Sequence, residues 1–474
     1  MEDMEDLEPK ENDALPGDNK GSDEQRTINR RDLLQRGSVL ALGLLAGGGA
    51  ASGLHAEELQ APAAAQQPAQ TPPAPAAAGA VPATGAAANV APVAVAVIGL
   101  GDQGRQHLAA LNHVPGAQVR TVCDTYEPIH KRALELAPKA TAVTDYRRVL
   151  DDKAVQAVYV ATPSHLHREI VLAALQAGKH VYCEAPLASS VDDARAIARA
   201  AVAAAPRQVF HSGLQQRTNP QHRHVLQFVR TGAVGKMAMI KSQWNKKTSW
   251  RRPAPTDERQ QALNWRLSKA TSGGLMGEIG VHQVDVGNWF LKSLPVSVTG
   301  TGGILAWRDG RDVYDTIQCI VEYPGDIHFS YVATLANSYD GAYEQFHGTD
   351  AAVVLRDGRA WMFKEADATA LGWEVYAFKE RIGEETGIVL VADATKLLER
   401  GLKPAENRDT DPTRGSLYFA GDHFLTAIRE NKKTDAGPEE GYQATVTALK
   451  ANEAIMAGTS VAFKKEWFDL TAAA

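Results

Sequence analysis

Cysteine is scarce in this sequence. The 474 residues include three, Cys123, Cys183 and Cys319, and each lies within an apolar run that predicts a strand. None belongs to a C-x-x-C pair, so their spacing suits neither a zinc site nor a disulfide framework. We therefore expect three buried free thiols and no metal centre.

Basic clusters are also lacking. The formal net charge is -6, and the body of the chain has no Lys/Arg-rich run of the kind that a nucleic-acid-binding face requires. Nucleic acid is therefore disfavoured as a partner, and a small-molecule ligand is favoured. Because 44% of the residues are hydrophobic, the chain can bury the cores of two ordinary domains.

The first 91 residues have no apolar periodicity typical of a folded domain. Residues 1–28 are acidic and polar, which predicts disorder. In residues 29–56, the pair Arg30-Arg31 precedes a short uncharged run, 37–53, and this pattern resembles a twin-arginine (Tat) export signal. Residues 57–91 are mostly Ala, Pro, Gln and Gly, which predicts an extended linker. The pattern predicts a periplasmic protein with the Tat machinery as a partner, or a membrane-anchored protein if the signal stays uncut.

A glycine fingerprint follows the first predicted strand. The apolar run 93–98 leads directly into G-x-G-x-x-G at Gly99, Gly101 and Gly104, and a helical pattern comes next. In this context Gly99 permits a tight turn, Gly101 lets the backbone approach a pyrophosphate, and Gly104 lets the helix pack on the strand. The amides at the start of the helix would then bind the phosphates. Residues 92–214 are therefore predicted to form a dinucleotide-binding Rossmann domain.

An acidic residue ends the second predicted strand, 118–123. Asp124 lies twenty residues after Gly104, where a carboxylate can accept hydrogen bonds from both ribose hydroxyls and repels a 2′-phosphate. No Arg follows directly, so the sequence favours NAD over NADP. The alternative is that Asp124 caps a helix in an ordinary loop.

Further motifs occur at the ends of later strands. They are Thr162-Pro163-x-x-x-His167, Ala177-Gly178-Lys179-His180-Val181 and Glu184-x-Pro186. In this order, and after the glycine fingerprint, they resemble the Gfo/Idh/MocA oxidoreductases over roughly residues 93–470. The resemblance implies an NAD(P)-dependent oxidoreductase acting on a sugar or polyol. It also implies the fold: an α/β Rossmann domain with a doubly wound parallel sheet, then an α+β domain (215–474) with a large open, mainly antiparallel sheet.

The resemblance also implies a set of cofactor residues. The set is Gly99, Gly101, Gln103, Gly104, Asp124, Thr162, Pro163, His167 and Glu184. Because soluble nucleotide is scarce outside the cytoplasm, we expect an exported protein of this kind to keep its NAD tightly bound. The scarcity of cysteine agrees with folding in a reducing compartment before export.

One position departs from the family pattern. The usual motif is Glu-Lys-Pro, and its Lys lies beside the substrate hydroxyl, but this chain has Ala185. An ammonium there would stabilise a developing alkoxide and relay its proton, whereas an alanine methyl does neither. Three explanations stay open. Lys246, Lys247 or Arg217 supplies the charge; the chemistry is that of the family's NAD-recycling glycoside hydrolases, which also lack the lysine; or the protein binds sugar without turning it over.

The strongest catalytic candidate is in the second domain. Residues 273–285 resemble the family pattern Gly-Gly-Gly-x-x-x-Asp-x-Gly-x-His-x-x-Asp, in which the first Asp and the His contact the reacting hydroxyl. This chain keeps His282 but has Glu278 in place of that Asp. On a helix, Glu278, His282 and Asp285 share one face. We predict that His282 is the acid/base with Glu278 as its partner, and that Asp285 binds substrate. A metal site at Glu278 and His282 is disfavoured because further ligands are not evident.

Other residues are candidates for binding the sugar. Gln215 and Arg217 lie in a segment that resembles the family's crossover into the second domain, where polar side chains face the cleft. Trp244, Trp250 and Trp265 precede the catalytic segment, and an aromatic face suits the C–H face of a sugar ring. Of the three we predict Trp265 as a substrate residue. For each of these residues the alternative is an ordinary surface or core position.

Residues 296–355 alternate apolar and polar side chains. Strands are predicted at 313–323, 327–335 and 352–355, with turns at Asp309-Gly310 and Pro324-Gly325. Helices are predicted at 422–429 and 440–457, and Gly458 ends the second one. In the family such an open sheet carries oligomer contacts, which implies a homo-oligomer, a dimer or a tetramer.

Overall fold

The computed structural model describes residues 90–471 except 206, 376 and 393–414. The predicted leader, the Tat-type segment and nearly all of the linker therefore lie outside the described residues. Among the residues that are described, no helix has both the length and the apolar character needed to cross a membrane.

A six-stranded parallel sheet forms the first half. Its elements are β1 (Val93–Ile98), α1 (Asp102–Leu111), β2 (Ala117–Cys123), α2 (His130–Leu136), β3 (Thr141–Val143), α3 (Tyr146–Asp151), β4 (Ala157–Val160), α4 (His167–Gln176), β5 (His180–Cys183), α5 (Val191–Ala204) and β6 (Phe210–Ser212). The strand order is β3-β2-β1-β4-β5-β6, and all neighbours are parallel. This is the doubly wound Rossmann arrangement, with its switch point between β1 and β4. The predicted fold of this half is confirmed.

Strand β1 shows why its sequence is a continuous apolar run. Val95 and Val97 pack on one side of the sheet in the same core as Leu108 of α1. Ala96 and Ile98 pack on the other side. A parallel strand that is buried on both faces needs apolar residues at every position. The three cysteines are buried free thiols, as expected.

A ten-stranded sheet dominates the second half. The elements are α6 (Pro220–Arg230), β7 (Met237–Asn245), α7 (Asp257–Leu263), α8 (Val281–Leu291), β8 (Ser297–Gly303), β9 (Thr316–Tyr323), β10 (Ile327–Thr334), β11 (Ala342–Gly348), β12 (Ala351–Arg356), β13 (Arg359–Lys364), β14 (Lys379–Ile382), β15 (Glu385–Leu390), α9 (Ser416–Glu430), α10 (Pro438–Ala457), β16 (Ser460–Ala462) and α11 (Lys465–Phe468). The strand order is β14-β15-β13-β12-β11-β7-β10-β9-β8-β16. Only β7 and β10 pair in parallel, and the other neighbours are antiparallel. The predicted mainly antiparallel sheet is confirmed.

The predicted boundaries differ from the structure in detail. The strand predicted at 313–323 begins at Thr316, and the predicted turn at Asp309-Gly310 is a bend within the long connection between β8 and β9, with φ 85° at Gly310. Asp309 pairs with Arg251 and Arg311. Gly325 and Gly458 adopt positive φ values of 83° and 63° at the expected ends of β9 and α10, which a residue without Cβ adopts at low cost.

The last two long helices pack across both halves. Phe424 and Leu425 of α9 join the Rossmann core that contains Leu108. Tyr442 of α10 joins the core on the opposite side of the same sheet, while Ala451 of that helix belongs to the core of the second half. The domain boundary at 214/215 stays a prediction, and the packing of the C-terminal helices ties the two halves together.

Candidate active site

The glycine turn is shaped by close backbone contacts. Gly99 has φ +92°, and a Cβ added there would lie 2.6 Å from the carbonyl oxygen of Ala161. A Cβ on Gly104 would lie 1.8 Å from the oxygen of Gly99, so these two glycines are required by the turn itself. A Cβ on Gly101 would meet no described heavy atom within 4 Å. The space beside Gly101, at the first turn of α1, fits the close approach of a pyrophosphate.

Asp124 faces this turn. Its Oδ2 accepts a hydrogen bond from the amide of Leu100 at 2.8 Å, and its Oδ1 accepts one from the amide of Tyr126 at 2.9 Å. A carboxylate has about four acceptor positions, so both oxygens can still accept from ribose hydroxyls. The side chain therefore fits the role predicted from its position after β2.

Glu184 is the centre of a buried polar group at the end of β5. It is 8% exposed, and its Oε1 accepts hydrogen bonds from Gln103, at 2.9 Å, and from His107. Burial raises the pKa of Glu184, but the bonds from His107 and Gln103 and the nearby His282 outweigh burial, so the pKa lies below its ordinary value. The two predicted cofactor residues Gln103 and Glu184 thus bind each other. His107 was not predicted, although its place on the buried face of α1, three residues after Gly104, was a signal.

Two further predicted cofactor positions have different surroundings. The hydroxyl of Thr162, beside the half-buried Pro163, is buried without a hydrogen-bond partner among the described residues. His167 is 1% exposed and both of its ring nitrogens face backbone carbonyls: Nε2 lies 2.9 Å from Thr162 O, and Nδ1 lies 3.1 Å from Pro186 O. Burial lowers the pKa of His167, so the ring is neutral near pH 7 and its single N–H donates to one of these carbonyls. Its role as a cofactor contact stays a prediction, and in the structure the backbone carbonyls of two loops hold the ring in place.

Ala185 follows Glu184 in the crevice, and the structure offers no nearby substitute for the missing ammonium among the three candidates. Lys246 and Lys247 have exposed side chains. Arg217 is 8% exposed, and its guanidinium donates hydrogen bonds to the carboxylate of Asp285, with Nε 2.9 Å from Oδ2 and Nη2 2.8 Å from Oδ1. The first explanation for Ala185 therefore has no support in the described contacts.

This ion pair joins two of the residues that were predicted to bind substrate, Arg217 and Asp285. Burial lowers the pKa of Arg217, but Asp285 outweighs burial and raises it, so the guanidinium stays charged. Asp285 is 1% exposed and both of its oxygens bind Arg217. Arg217 and Asp285 thus form an internal ion pair, and that they also bind substrate stays a prediction, since a carboxylate with two bound oxygens can accept further hydrogen bonds. Gln215 keeps a buried Oε1 without a partner among the described residues and stays a candidate.

The catalytic segment is not one regular helix. Met276–Gly280 forms a π-helical turn that leads into α8, so the four-residue spacing does not pair Glu278 with His282. Glu278 Oε1 instead accepts hydrogen bonds from Ser164 Oγ at 2.9 Å, Ser272 Oγ at 3.2 Å and the amide of Gly273 at 3.2 Å. Burial raises the pKa of Glu278, and the charge of Arg266 together with these bonds lowers it by less. The predicted role of Glu278 as the partner of His282 is corrected, because a helical turn with one extra residue rotates the carboxylate toward Ser164.

His282 is half-buried and its Nδ1 has no hydrogen-bond partner among the described residues. Burial lowers its pKa, and the charges of Glu184 and Asp285 raise it by less. The imidazole is therefore neutral near pH 7 and has a nitrogen available to accept a proton. Within the described residues, no group of three or more His, Cys, Asp and Glu side chains is arranged to hold a metal ion.

Trp265 lies where the two halves meet. Its ring centroid is 6.1 Å from that of His165, and the guanidinium of Arg266 lies 4.5 Å from the Trp265 centroid. Trp244 and Trp250 pack against the core of the second half, which agrees with the alternative that they are ordinary core residues. Trp265 is thus the one of the three that is placed beside the loop after β4, and it stays a candidate for contact with a sugar.

Comparisons with known proteins identify both halves. Residues 93–210 match the GFO_IDH_MocA model, described as an oxidoreductase family with an NAD-binding Rossmann fold, and residues 222–354 match the GFO/IDH/MocA C-terminal domain. A solved structure of levoglucosan dehydrogenase in complex with NADH and L-sorbose superposes with a TM-score of 0.65 at 20% identity, over 80% of this chain and 100% of that one.

Three curated relatives carry activity names. Levoglucosan dehydrogenase of Pseudarthrobacter phenanthrenivorans is 26% identical over 55% of this chain and 73% of its own length. Inositol 2-dehydrogenase of Rubrobacter xylanophilus is 31% identical over 47% of this chain and 59% of its own length. The 2,7-anhydro-N-acetylneuraminate hydratase of Escherichia coli is 27% identical over 44% of this chain and 52% of its own length. For the second and third of these, the match spans little more than half of the relative.

Proposed function

Because the chain belongs to the Gfo/Idh/MocA oxidoreductase family and has its NAD-binding Rossmann domain, we propose that it oxidises a hydroxyl of a sugar or polyol by hydride transfer to NAD. The substrate class is favoured by the relatives named for levoglucosan and inositol, both of which are cyclic and rich in hydroxyls. These identities are too low to choose one sugar or one carbon.

The observation that carries this proposal is the placement of His282. Its electrostatic neighbours are Glu184, from the end of β5 in the Rossmann domain, and Asp285, from its own helix. Glu184 in turn binds Gln103 on the helix that begins at the glycine turn. The neutral imidazole of His282 is therefore close enough to Glu184, at the edge of the Rossmann sheet where a dinucleotide binds, for the charge of that carboxylate to shift its pKa.

These residues support a simple division of labour. NAD, when bound, supplies the hydride acceptor. His282 takes the proton of the substrate hydroxyl as the C–H bond breaks, and the negative charge of Glu184 stabilises the imidazolium that forms. Gln215, with its unsatisfied Oε1, and Trp265 are the residues we propose to contact the rest of the sugar. The tie between Glu278 and Ser164 holds the catalytic turn at the edge of the Rossmann sheet.

A second candidate function is suggested by Ala185. The chain has no cation at the position beside the reacting hydroxyl, as in the NAD-recycling glycoside hydrolases of the family. In that cycle a sugar hydroxyl is oxidised transiently, the glycosidic substituent is eliminated, water is added and the sugar is reduced again, so no net dehydrogenation occurs. Such a cycle restores NAD in each turnover and splits a glycosidic bond. The relationship to a hydratase of an anhydro sugar also favours this alternative.

The two functions are separated by following the nicotinamide absorbance while free sugars and aryl glycosides are titrated. Net NADH formation from a free sugar supports dehydrogenation, and aglycone release without net NADH supports the glycosidase. Sugar binding with neither product points to a catalytically silent binding protein and contradicts both. In Ala185→Lys, we expect faster NADH formation if dehydrogenation is the native reaction. Unchanged NADH formation with loss of aglycone release favours the glycosidase.

We also propose that residues 29–56 export the folded protein to the periplasm by the Tat route, on the strength of Arg30-Arg31 and the uncharged run after them. Residues 1–91 fused to a reporter should direct it to the periplasm, and Arg30→Lys with Arg31→Lys should abolish this. Reporter export that survives the double change contradicts the route.

For the assembly we propose a homo-oligomer formed on the face of the ten-stranded sheet that exposes Ile320 and Val332. Light scattering tests this proposal: Ile320→Lys should lower the molar mass of the assembly.

A further inference from the structure

A segment of the second domain reaches across to the dinucleotide edge of the Rossmann domain. This bridging segment, residues 249–271, contains α7 and contacts the first half in two places beside the predicted cofactor residues. Arg252 forms an ion pair with Asp102, the first residue of α1. The guanidinium of Arg259 lies 4.4 Å from the centroid of the Tyr126 ring. Asp102 is part of the glycine turn, and Tyr126 donates its backbone amide to Asp124.

A third contact closes the far end of the bridging segment. His165, in the loop after β4, places its Nδ1 3.1 Å from the carbonyl oxygen of Thr271. The three contacts therefore follow the carboxyl ends of β1, β2 and β4. In an open α/β sheet these strand ends form the crevice that holds the ligand, so the bridging segment passes over the outer side of that crevice.

The bridging segment is ordered by its own hydrogen bonds. Asn264 is 8% exposed, its Oδ1 accepts from the amide of Arg252 at 2.8 Å, and its Nδ2 donates to the carbonyl of Arg252 at 3.0 Å. Arg251 donates to Asp309 at 3.0 Å in the loop before β9. The backbone that presents Arg252 is thus fixed to the second domain, while its guanidinium binds the first.

From this geometry we infer that the bridging segment is the outer wall of the dinucleotide site, and that Arg252 and Arg259 are positioning residues that retain a bound dinucleotide. The inference rests on the dinucleotide binding in the proposed function and is independent of the sugar chemistry. Arg252 has a second effect, because it neutralises the Asp102 carboxylate at the start of α1, where an unpaired negative charge repels a pyrophosphate. A dinucleotide held in this way leaves only when the contacts of Arg252 and Arg259 with the Rossmann domain break.

The test is the exchange kinetics of NADH on the full-length protein. NADH is bound, excess NAD is added, and the loss of energy transfer from tryptophan to NADH gives the dissociation rate; stopped-flow mixing gives the association rate. We expect Arg252→Ala and Arg259→Ala to speed dissociation by about twofold to fivefold each, and the double variant by roughly the product. Because a wall obstructs both directions, we expect the association rate to rise as well.

The matched control is Arg120→Ala, which removes an Arg–Asp pair within the Rossmann domain, between Arg120 and Asp152. The inference is overturned if dissociation from the double variant matches wild type, or if the control changes it equally. It is also overturned if dissociation speeds up while association slows down, because that pattern is a loss of charge attraction alone. If no dinucleotide binds the wild type, the proposed function fails and not only the wall.

A second measurement needs no variant. Trypsin can cleave after Arg259 only when α7 opens locally, and we expect the contact of Arg259 with Tyr126 to oppose that opening. NADH should therefore slow this cut in the wild-type protein by about threefold or more. Cleavage at the same rate with and without NADH contradicts the inference. Cuts within the edge strand β14, Lys379–Ile382, serve as the internal reference, since this edge lies at the far end of the other sheet.

Discussion

Glu278 accepts a hydrogen bond from Ser164 across the junction of the two halves, with the two oxygens 2.9 Å apart. The same carboxylate oxygen also accepts from Ser272 and from the amide of Gly273. Ser164 lies in the loop after β4, and Glu278 lies in the turn that leads into His282. The contact therefore sets the distance between the dinucleotide edge and the candidate catalytic imidazole.

This geometry predicts that Glu278 acts through position and not through charge. Because all three hydrogen bonds end on Oε1, Glu278→Gln can keep them, and we expect unfolding free energy and kcat close to wild type. Glu278→Ala leaves three buried donors unsatisfied and should cost about 1–3 kcal/mol for each that water cannot reach. Urea unfolding and kcat on the same preparations check this. A Gln variant that folds normally but loses activity would restore Glu278 to a catalytic role.

The glycine turn offers a pair of substitutions that separate folding from binding. Gly104→Ala forces a Cβ to within 1.8 Å of Gly99 O, and we expect a loss of about 1–3 kcal/mol of stability from overpacking. Gly101→Ala places its Cβ in open space, so the protein should unfold as wild type does but bind NADH about tenfold more weakly or worse. Thermal unfolding without nucleotide and NADH titration give the two quantities. Equal NADH affinity for Gly101→Ala and wild type contradicts a phosphate site there.

The Rossmann half was predictable because its signals are local. The strand 93–98, the glycine turn and Asp124 all lie within residues 93–124, and their physical roles depend on backbone contacts within one βαβ unit. The alternation of β9 and β10 likewise reflects burial on one face of a sheet. For such elements the sequence neighbours of a residue are also its neighbours in space.

The pairings that the sequence did not predict join residues that are far apart along the chain. Arg217 and Asp285 are 68 residues apart and Ser164 and Glu278 are 114 apart, so single-sequence patterns carried no sign that they meet. The spacing of Glu278 and His282 assumed 3.6 residues per turn, and the π-helical turn at Met276–Gly280 breaks that assumption. His167 matched a family motif, which gave no sign that its ring nitrogens face the backbone carbonyls of two loops.

For His282 the structure predicts a definite pH dependence. A general base must be neutral, and burial holds the pKa of His282 below its ordinary value of 6.5. We therefore expect kcat/KM to be level near pH 7 and to fall only on the acid side, below pH 6.5. His282→Asn should lower kcat by about 10²–10⁴-fold without loss of stability and remove this acid limb. A variant that keeps the limb would show that another group titrates.

Glu184 provides a check on the same assignment. Its negative charge raises the pKa of His282, so Glu184→Gln should move the acid limb of the rate profile to lower pH. NADH affinity is measured alongside, since Glu184 also binds Gln103 on α1. If the acid limb of the rate profile stays in place while NADH affinity falls, Glu184 contributes to cofactor binding and does not affect the titration of His282.

Glu344, on β11, predicts a pH effect on stability that is separate from catalysis. The side chain is 8% exposed, and burial raises its pKa from 4.5 to about 7. His222 lies beside it, with Nε2 3.9 Å from the carboxylate, and burial lowers the pKa of His222 to about 4, so the ring is neutral. A carboxyl with a raised pKa binds its proton more tightly in the folded state. Its contribution to stability is complete below pH 4.5 and is lost as the pH rises to 7.

Glu344→Gln should therefore be more stable than wild type at pH 8, by about 3 kcal/mol, with the difference vanishing near pH 4. His222 opposes this trend at acid pH, but it is present in both proteins and its effect largely cancels in the difference. Urea unfolding at intervals from pH 4 to pH 8 gives the difference directly. The surface variant Glu384→Gln, at a side chain that is 94% exposed, controls for the removal of one negative charge. A stability difference that is constant from pH 4 to pH 8 would mean that Glu344 has the same pKa in the folded and unfolded states, which contradicts the prediction.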